Sequence, residues 1–224
     1  MRLNRLLPAV VAALLLLPAL VRADQIVSFG QLGSLNTFSA VNNGDGTTDL
    51  SATAGVSITN IISGATDPNA LFTFEAESLG AAQLILGDTV VTQAFEGTFN
   101  LTNAAGTFSY LSGVFGGALV FGGDGGTGAT FTANSGLLDP LAMFTDLAVV
   151  LGDPQSFSLS LSNLSPGLGI SGGTINSFSA SFTGTADAVA SELDVVPEPA
   201  SLVLLGTGLV ACAGRARRRW RARA

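Results

Sequence analysis

Residues 155–162 read QSFSLSLS and residues 177–183 read SFSASFT. In both stretches, serines or threonines alternate with apolar side chains. Residues 71–77 and 98–102 alternate in the same way. A period of two places the apolar side chains on one face of a strand and the polar side chains on the other. These stretches therefore predict β-strands with one buried face and one solvated face.

Glycine-rich and asparagine-rich segments separate the alternating stretches. The clearest of them lie at residues 42–46, 64–69, 87–88, 122–128 and 165–173. Glycine and asparagine tolerate the backbone angles that tight turns require, so these segments predict turns between strands.

The body between residues 24 and 195 has about 170 residues, which is enough for one domain with a substantial core. Only residues 137–151 suggest a helix, with Asp139 and Pro140 as its start. We therefore expect an all-β body that forms an antiparallel β-sandwich or a jelly-roll-like domain. A β-solenoid is the alternative, but no fixed repeat period appears in the sequence.

Residues 1–23 have the three parts of a secretory signal peptide. Arg2 and Arg5 precede an apolar core at residues 6–20, and Ala23 ends a small-residue cleavage site. The core has about 15 residues, whereas a membrane-spanning helix needs roughly 20. We expect cleavage before Asp24 rather than a permanent N-terminal anchor, and hence export through the secretion translocon.

Charge is sharply divided along the chain. The nine basic residues are all arginines, and they lie in residues 1–22 and 215–224. Of the sixteen Asp and Glu residues, only Glu198 lies outside the body. Nucleic-acid binding relies on Lys and Arg contacts to phosphates, so this acidic body excludes it.

The body also lacks His, Lys, Arg and Cys; the single cysteine, Cys212, lies near the C-terminus. Catalytic triads, cysteine–histidine pairs, Schiff-base lysines and imidazole metal sites are therefore unavailable to it. The composition predicts a protein that is not an enzyme.

The tail, residues 196–224, has three consecutive parts. Val196, Pro197, Glu198 and Pro199 form a short extended peptide, because proline restricts its own backbone and that of the preceding residue. Residues 200–214 are apolar and would span about 22 Å as a helix. We expect a single C-terminal transmembrane helix here, held with its basic end in the cytoplasm. That end carries Arg215, Arg217, Arg218, Arg219, Arg221 and Arg223.

The order of these three parts resembles the PEP-CTERM sorting signal of Gram-negative bacteria, with Pro197, Glu198 and Pro199 as its motif. The resemblance implies that an exosortase-type membrane enzyme recognises the tail near this motif. It further implies anchoring in the inner membrane with the body outside, followed by delivery to the cell surface or extracellular matrix, with exopolysaccharide as a partner. Some proteins with such tails are named for ice binding.

Two loops in the body have oxygen ligands that suit calcium. Asn43, Asp45, Thr47 and Asp49 lie at alternate positions, although the segment lacks a full EF-hand pattern. Residues 122–126 read GGDGG and supply one carboxylate. No resident cofactor is expected beyond weakly bound calcium, and a plain turn is the simpler interpretation of each loop.

The leading hypothesis is a structural, non-catalytic protein of the cell surface or matrix. The first alternative is a carbohydrate-binding or ice-binding module, with Thr130 and Thr132 as one Thr-x-Thr element. A second alternative is a glycoside hydrolase that uses only carboxylates. Its candidates are Glu75 and Glu77, which are expected on one strand face at about 7 Å.

Overall fold

The computed structural model describes residues 23–136 and 140–192, with side chains described up to Ala190. This part of the chain consists of strands joined by turns and contains no helix. The thirteen strands are β1 (Asp24–Gln31), β2 (Phe38–Asn42), β3 (Thr48–Ile61), β4 (Asp67–Ser78), β5 (Gln83–Ile85), β6 (Val90–Asn103), β7 (Ser109–Gly123), β8 (Gly128–Asn134), β9 (Leu141–Phe144), β10 (Val149–Ser165), β11 (Ile170–Ser171), β12 (Thr174–Ile175) and β13 (Phe178–Glu192).

Eight of these strands form a closed barrel, in the order β6-β4-β3-β1-β13-β10-β8-β7, with β7 pairing back onto β6. The pairs β1–β3, β3–β4, β4–β6, β6–β7 and β8–β10 are antiparallel. The all-β prediction is therefore confirmed. The sandwich or jelly roll is not confirmed, because the long strands belong to one sheet that closes on itself and so loses its exposed edges.

At two places in the sheet, a short strand follows another strand along the same neighbour. The short strand β2 follows β1, and the short strand β9 lies with β8 along β7. β1 and β2 both pair with β3 and β13, so the two follow each other along one position of the barrel. β8 and β9 both pair with β7, at residues 119–121 and 112–115 respectively. The connection between β1 and β2 is held by Asn36, whose Nδ2 donates to Asn163 O at 2.9 Å. The long strands thus find continuous partners even where the neighbouring strand is interrupted.

Phenylalanine rings fill the barrel interior. Phe72 is fully buried, and its ring centroid lies 4.9 Å from that of Phe29 and 5.2 Å from that of Phe182. Phe99 and Phe157 stack with centroids 3.8 Å apart and planes 7° from parallel. These rings come from strands distributed around the barrel, so the core is one continuous cluster.

Two glycines make room for this ring packing. A Cβ at Gly184 would lie 2.2 Å from the Phe29 ring, and one at Gly113 would lie 2.5 Å from the Phe99 ring. No side chain fits at such distances, so glycine at these positions lets aromatic rings lie directly against the backbone.

One end of the barrel is covered by residues 166–177, which we call the end plug. It contains β11 and β12, and Leu168 and Ile175 from it are buried in the core. The buried Gln93 side chain accepts a hydrogen bond from Ile175 N at 2.9 Å and donates to Gly80 O at 2.6 Å. Thr48 Oγ1 donates to Ile175 O at 2.9 Å and also contacts the Thr174 hydroxyl. These bonds satisfy polar groups that would otherwise be buried without partners.

The helix suggested by residues 137–151 is not formed in the part that the structure describes. Residues 141–144 form β9, and β10 begins at Val149. Leu141 and Met143 are buried, whereas Ala142 and Phe144 are exposed. This segment therefore has a period of two, and pairing with β7 outweighs a weak local helix signal. The predicted signal peptide and C-terminal helix lie outside the described residues.

Candidate functional site

The tail residues identified in the sequence all lie outside the described residues. They are Val196, Pro197, Glu198 and Pro199 of the motif and Arg215, Arg217, Arg218, Arg219, Arg221 and Arg223 of the basic end. Within residues 23–136 and 140–192, no helix is both long enough and apolar enough to cross a membrane.

The first candidate calcium loop is the connection between β2 and β3, at the plugged end. Asn43 Nδ2 donates to Thr47 Oγ1 at 2.9 Å, and Thr47 Oγ1 donates to Asp45 Oδ1 at 2.7 Å. These bonds, with a further one from Thr47 N, hold the pKa of Asp45 below its usual range, because they stabilise the charged carboxylate. Asn43, Asp45 and Thr47 are thus brought together, and they hydrogen-bond to one another.

Asp49, the fourth residue of that predicted set, lies instead in β3, on the outer face of the barrel. It pairs in register with Glu77 of β4, which pairs with Glu96 of β6. Glu75 lies on the same outer face, so the two glutamates share one strand face as expected. The result is an exposed acidic row across three strands. In the part of the chain that the structure describes, no group of three or more His, Cys, Asp or Glu residues is arranged to hold a metal ion.

A groove on the outer face lies beside this acidic row. It is formed by β4, β6, β7 and β9 and has a volume of about 500 Å³. Phe144 and Val114 line it although they are 60% and 54% exposed, and Glu75 and Asn100 line it as polar groups. A groove that holds an exposed aromatic ring, a carboxylate and an amide suits a ligand with both an apolar face and hydroxyl groups.

Sequence reasoning missed both the acidic row and the groove. Glu96 and Phe144 are far from Glu75 in the sequence, and only the strand register brings them to one surface. Phe144 falls within the helix predicted for residues 137–151, although the alternation of residues 141–144 is a signal that identifies β9.

Comparison with known protein families gives one match, and it falls on the tail. Residues 195–219 match the PEP-CTERM protein-sorting motif. The chain therefore carries the sorting signal that Pro197, Glu198, Pro199 and the residues after them predicted. No curated protein and no solved structure matches the chain.

A PEP-CTERM motif supports export, processing by an exosortase-type membrane enzyme, and sorting toward the cell surface. The matched segment follows the barrel in the sequence, and the match assigns no role to the barrel.

Proposed function

We propose that this protein is a non-catalytic structural component of the cell surface or extracellular matrix. The PEP-CTERM motif at residues 195–219 carries the proposal. In this account the signal peptide directs the chain through the secretion translocon, the tail anchors it in the inner membrane, and an exosortase-type enzyme then releases or transfers the barrel.

The chemistry of the body supports a role without catalysis. It has no His, Lys, Arg or Cys, so general bases near neutral pH and strong nucleophiles are missing. Two of its carboxylates, Glu75 and Glu77, lie on an exposed strand face. A closed barrel with no free edges among its long strands suits a protein that must persist outside the cell.

The sorting proposal is tested by the mass and terminal sequence of the mature protein in cells with and without the processing enzyme. We expect a mature chain that begins at Asp24 and ends near Pro199 when the enzyme is present. In its absence we expect a longer, membrane-bound form. The same full-length mass in both strains would contradict the proposal.

A second candidate function, carbohydrate binding, is favoured by the groove beside Phe144. An aromatic ring can pack against the C–H face of a sugar, while Glu75 and Asn100 can hydrogen-bond adjacent hydroxyl groups. Because the body has no cationic side chain, the ligand would be a neutral glycan rather than an acidic one. Ice binding has less support, since Thr130 and Thr132 pair with Ser160 and Ser158 rather than with further threonines.

Glycan binding is tested by titrating neutral polysaccharides into the purified protein and its Phe144→Ala variant. Phe121→Ala is a matched control, because Phe121 is also exposed, at 40%, but does not line the groove. We expect roughly tenfold weaker binding for Phe144→Ala, as for loss of one aromatic contact worth about 1.4 kcal/mol. Equal binding by both variants, or none by the parent protein, would rule this candidate out.

A further inference from the structure

The second glycine-rich loop, residues 122–128, lies against the end plug. Gly125 N donates to Leu168 O at 2.7 Å, and Leu168 N donates to Gly126 O at 2.9 Å. These two backbone bonds hold the loop and the plug side by side. The single carboxylate of the loop, Asp124, is therefore placed next to plug residues that are more than forty positions away in the sequence.

Asn176 lies in the plug and uses its amide nitrogen as a hydrogen-bond donor. Its Nδ2 donates to Gly167 O at 3.0 Å and to Ser177 O at 3.3 Å. Rotating the amide by 180° would place Oδ1 against two carbonyl oxygens, so the hydrogen bonds settle its orientation. Oδ1 is buried and accepts no hydrogen bond from any residue that the structure describes.

Gly169 leaves a space that this oxygen shares with the Asp124 carboxylate. A Cβ at Gly169 would lie 3.4 Å from Asn176 Oδ1 and 3.5 Å from Asp124 Oδ1. Two acceptor oxygens, one of them charged, thus face the same small volume, which a methyl group would fill. A cation or a donor such as water placed between them would satisfy the buried Asn176 oxygen.

We propose that Asp124 and Asn176 bind a hard divalent cation, with Ca²⁺ as the best match, and that this ion pins the end plug to the 122–128 loop. Carboxylate and amide oxygens at roughly 2.3–2.6 Å are the ligands that Ca²⁺ uses in proteins. Asp124 is exposed, so water completes the coordination on that side. With one carboxylate, the expected dissociation constant is in the range of about 10⁻⁴–10⁻³ M that is typical of extracellular modules.

The hydrogen bonding at this site differs from that of the Asn43–Asp49 loop. There, the Asp45 carboxylate already accepts hydrogen bonds from Thr47. At the plug, Asn176 Oδ1 has no such donor among the described residues. An ion therefore replaces existing hydrogen bonds at the first loop, whereas at the plug it satisfies an oxygen that the fold leaves without one.

The test uses the purified mature protein. Calorimetry measures Ca²⁺ binding, and thermal unfolding is measured in CaCl₂, in MgCl₂ and in a chelator at equal ionic strength. We expect a rise in Tm with Ca²⁺ that exceeds the rise with Mg²⁺. Asp124→Asn should weaken binding by roughly tenfold or more, because it removes the charged ligand. Glu96→Gln and Asp45→Asn are controls that remove a carboxylate elsewhere and should bind Ca²⁺ as the parent protein does.

Gly169→Ala is the most specific variant, because its methyl group fills the proposed site at ordinary contact distances and should leave the fold intact. We expect loss of Ca²⁺ binding with an unchanged circular dichroism spectrum and an unchanged Tm in chelator. Three results would each overturn the proposal: no binding by the parent protein, normal binding by Gly169→Ala, or a loss caused by Asp45→Asn instead of Asp124→Asn.

Discussion

The tail and the barrel differ in how far apart along the chain their defining residues lie. The tail is a linear signal of 25 matched residues, in which Pro197, Glu198 and Pro199 are adjacent. The barrel depends on contacts between residues far apart in sequence, such as Phe72 with Phe182 or Thr48 with Ile175. A processing enzyme can recognise the first from residues that are adjacent in the sequence, whereas the second exists only after folding. Substitutions in the two regions should therefore have separable effects.

The largest expected effect is on processing. Replacing Pro197, Glu198 and Pro199 with alanine should abolish release of the tail, because it removes the sorting motif and the backbone restriction that its prolines impose. The Tm of the barrel should not change. Intact mass of the protein from membrane and extracellular fractions measures the first outcome, and thermal unfolding measures the second. Glu192→Gln is a control that alters a nearby carboxylate and should be processed normally.

The next largest effect is on stability. Phe72→Ala should lower the free energy of unfolding by about 3–5 kcal/mol, because it opens a cavity among buried rings. Urea unfolding of the mature protein measures this. Phe144→Ala removes the same side chain from a position that is 60% exposed, and it should cost less than about 0.5 kcal/mol. Similar costs for the two variants would contradict the assignment of inner and outer faces.

A smaller effect is expected in the polar network under the end plug. Gln93→Leu should cost about 1–3 kcal/mol, since the backbone N–H of the buried Ile175 would lose its acceptor. Gln83→Leu is the matched control, because Gln83 is exposed in β5. If both variants unfold at the same urea concentration, the plug is not held by this network.

The smallest expected effect is a change in stability with pH. Tyr110 Oη donates to Asp67 Oδ2 at 2.7 Å, and this hydrogen bond, together with burial and the negative charge of Asp67, raises the pKa of Tyr110. The folded state therefore retains a proton that the unfolded state releases, so the contribution of Tyr110 to stability should be constant below about pH 10 and fall above it. Tyr110 is the only tyrosine, and the chain has no lysine, which makes the titration simple to assign.

Tyr110→Phe should remove that alkaline loss and lower stability by about 1 kcal/mol at neutral pH. Urea unfolding between neutral and alkaline pH, followed with tyrosinate absorbance in the parent protein, tests both expectations. An equal alkaline loss in Tyr110→Phe would show that another group is responsible.

The alternation in residues 155–162 and 177–183 was enough to predict strands and their buried faces. Phe157, Leu159 and Leu161 are buried, and so are Phe178, Ala180 and Phe182. Residues 141–144 carried the same signal over only four positions, which is too short to outweigh the helix interpretation from their sequence.

The candidate sites were predicted less well than the strands. The sequence placed Asp49 with Asn43, Asp45 and Thr47 because of its spacing, but the first residues of β3 carry it to the outer face. Glu96, Phe144 and Asn176 could not be joined to their neighbours from spacing, since strand register and the path of the end plug bring them together.

By itself, the sequence determined the route of the protein and the class of its fold. The PEP-CTERM motif is contiguous, and a strand's alternation is a local property of the backbone. Only the tertiary structure decided that β7 returns to β6 to close a barrel, and that Asp124 Oδ1 and Asn176 Oδ1 both lie beside Gly169 of the end plug. Closure of the barrel and the approach of these two oxygens both depend on the register between segments that are distant in sequence. That register is set by the packing of the whole phenylalanine core.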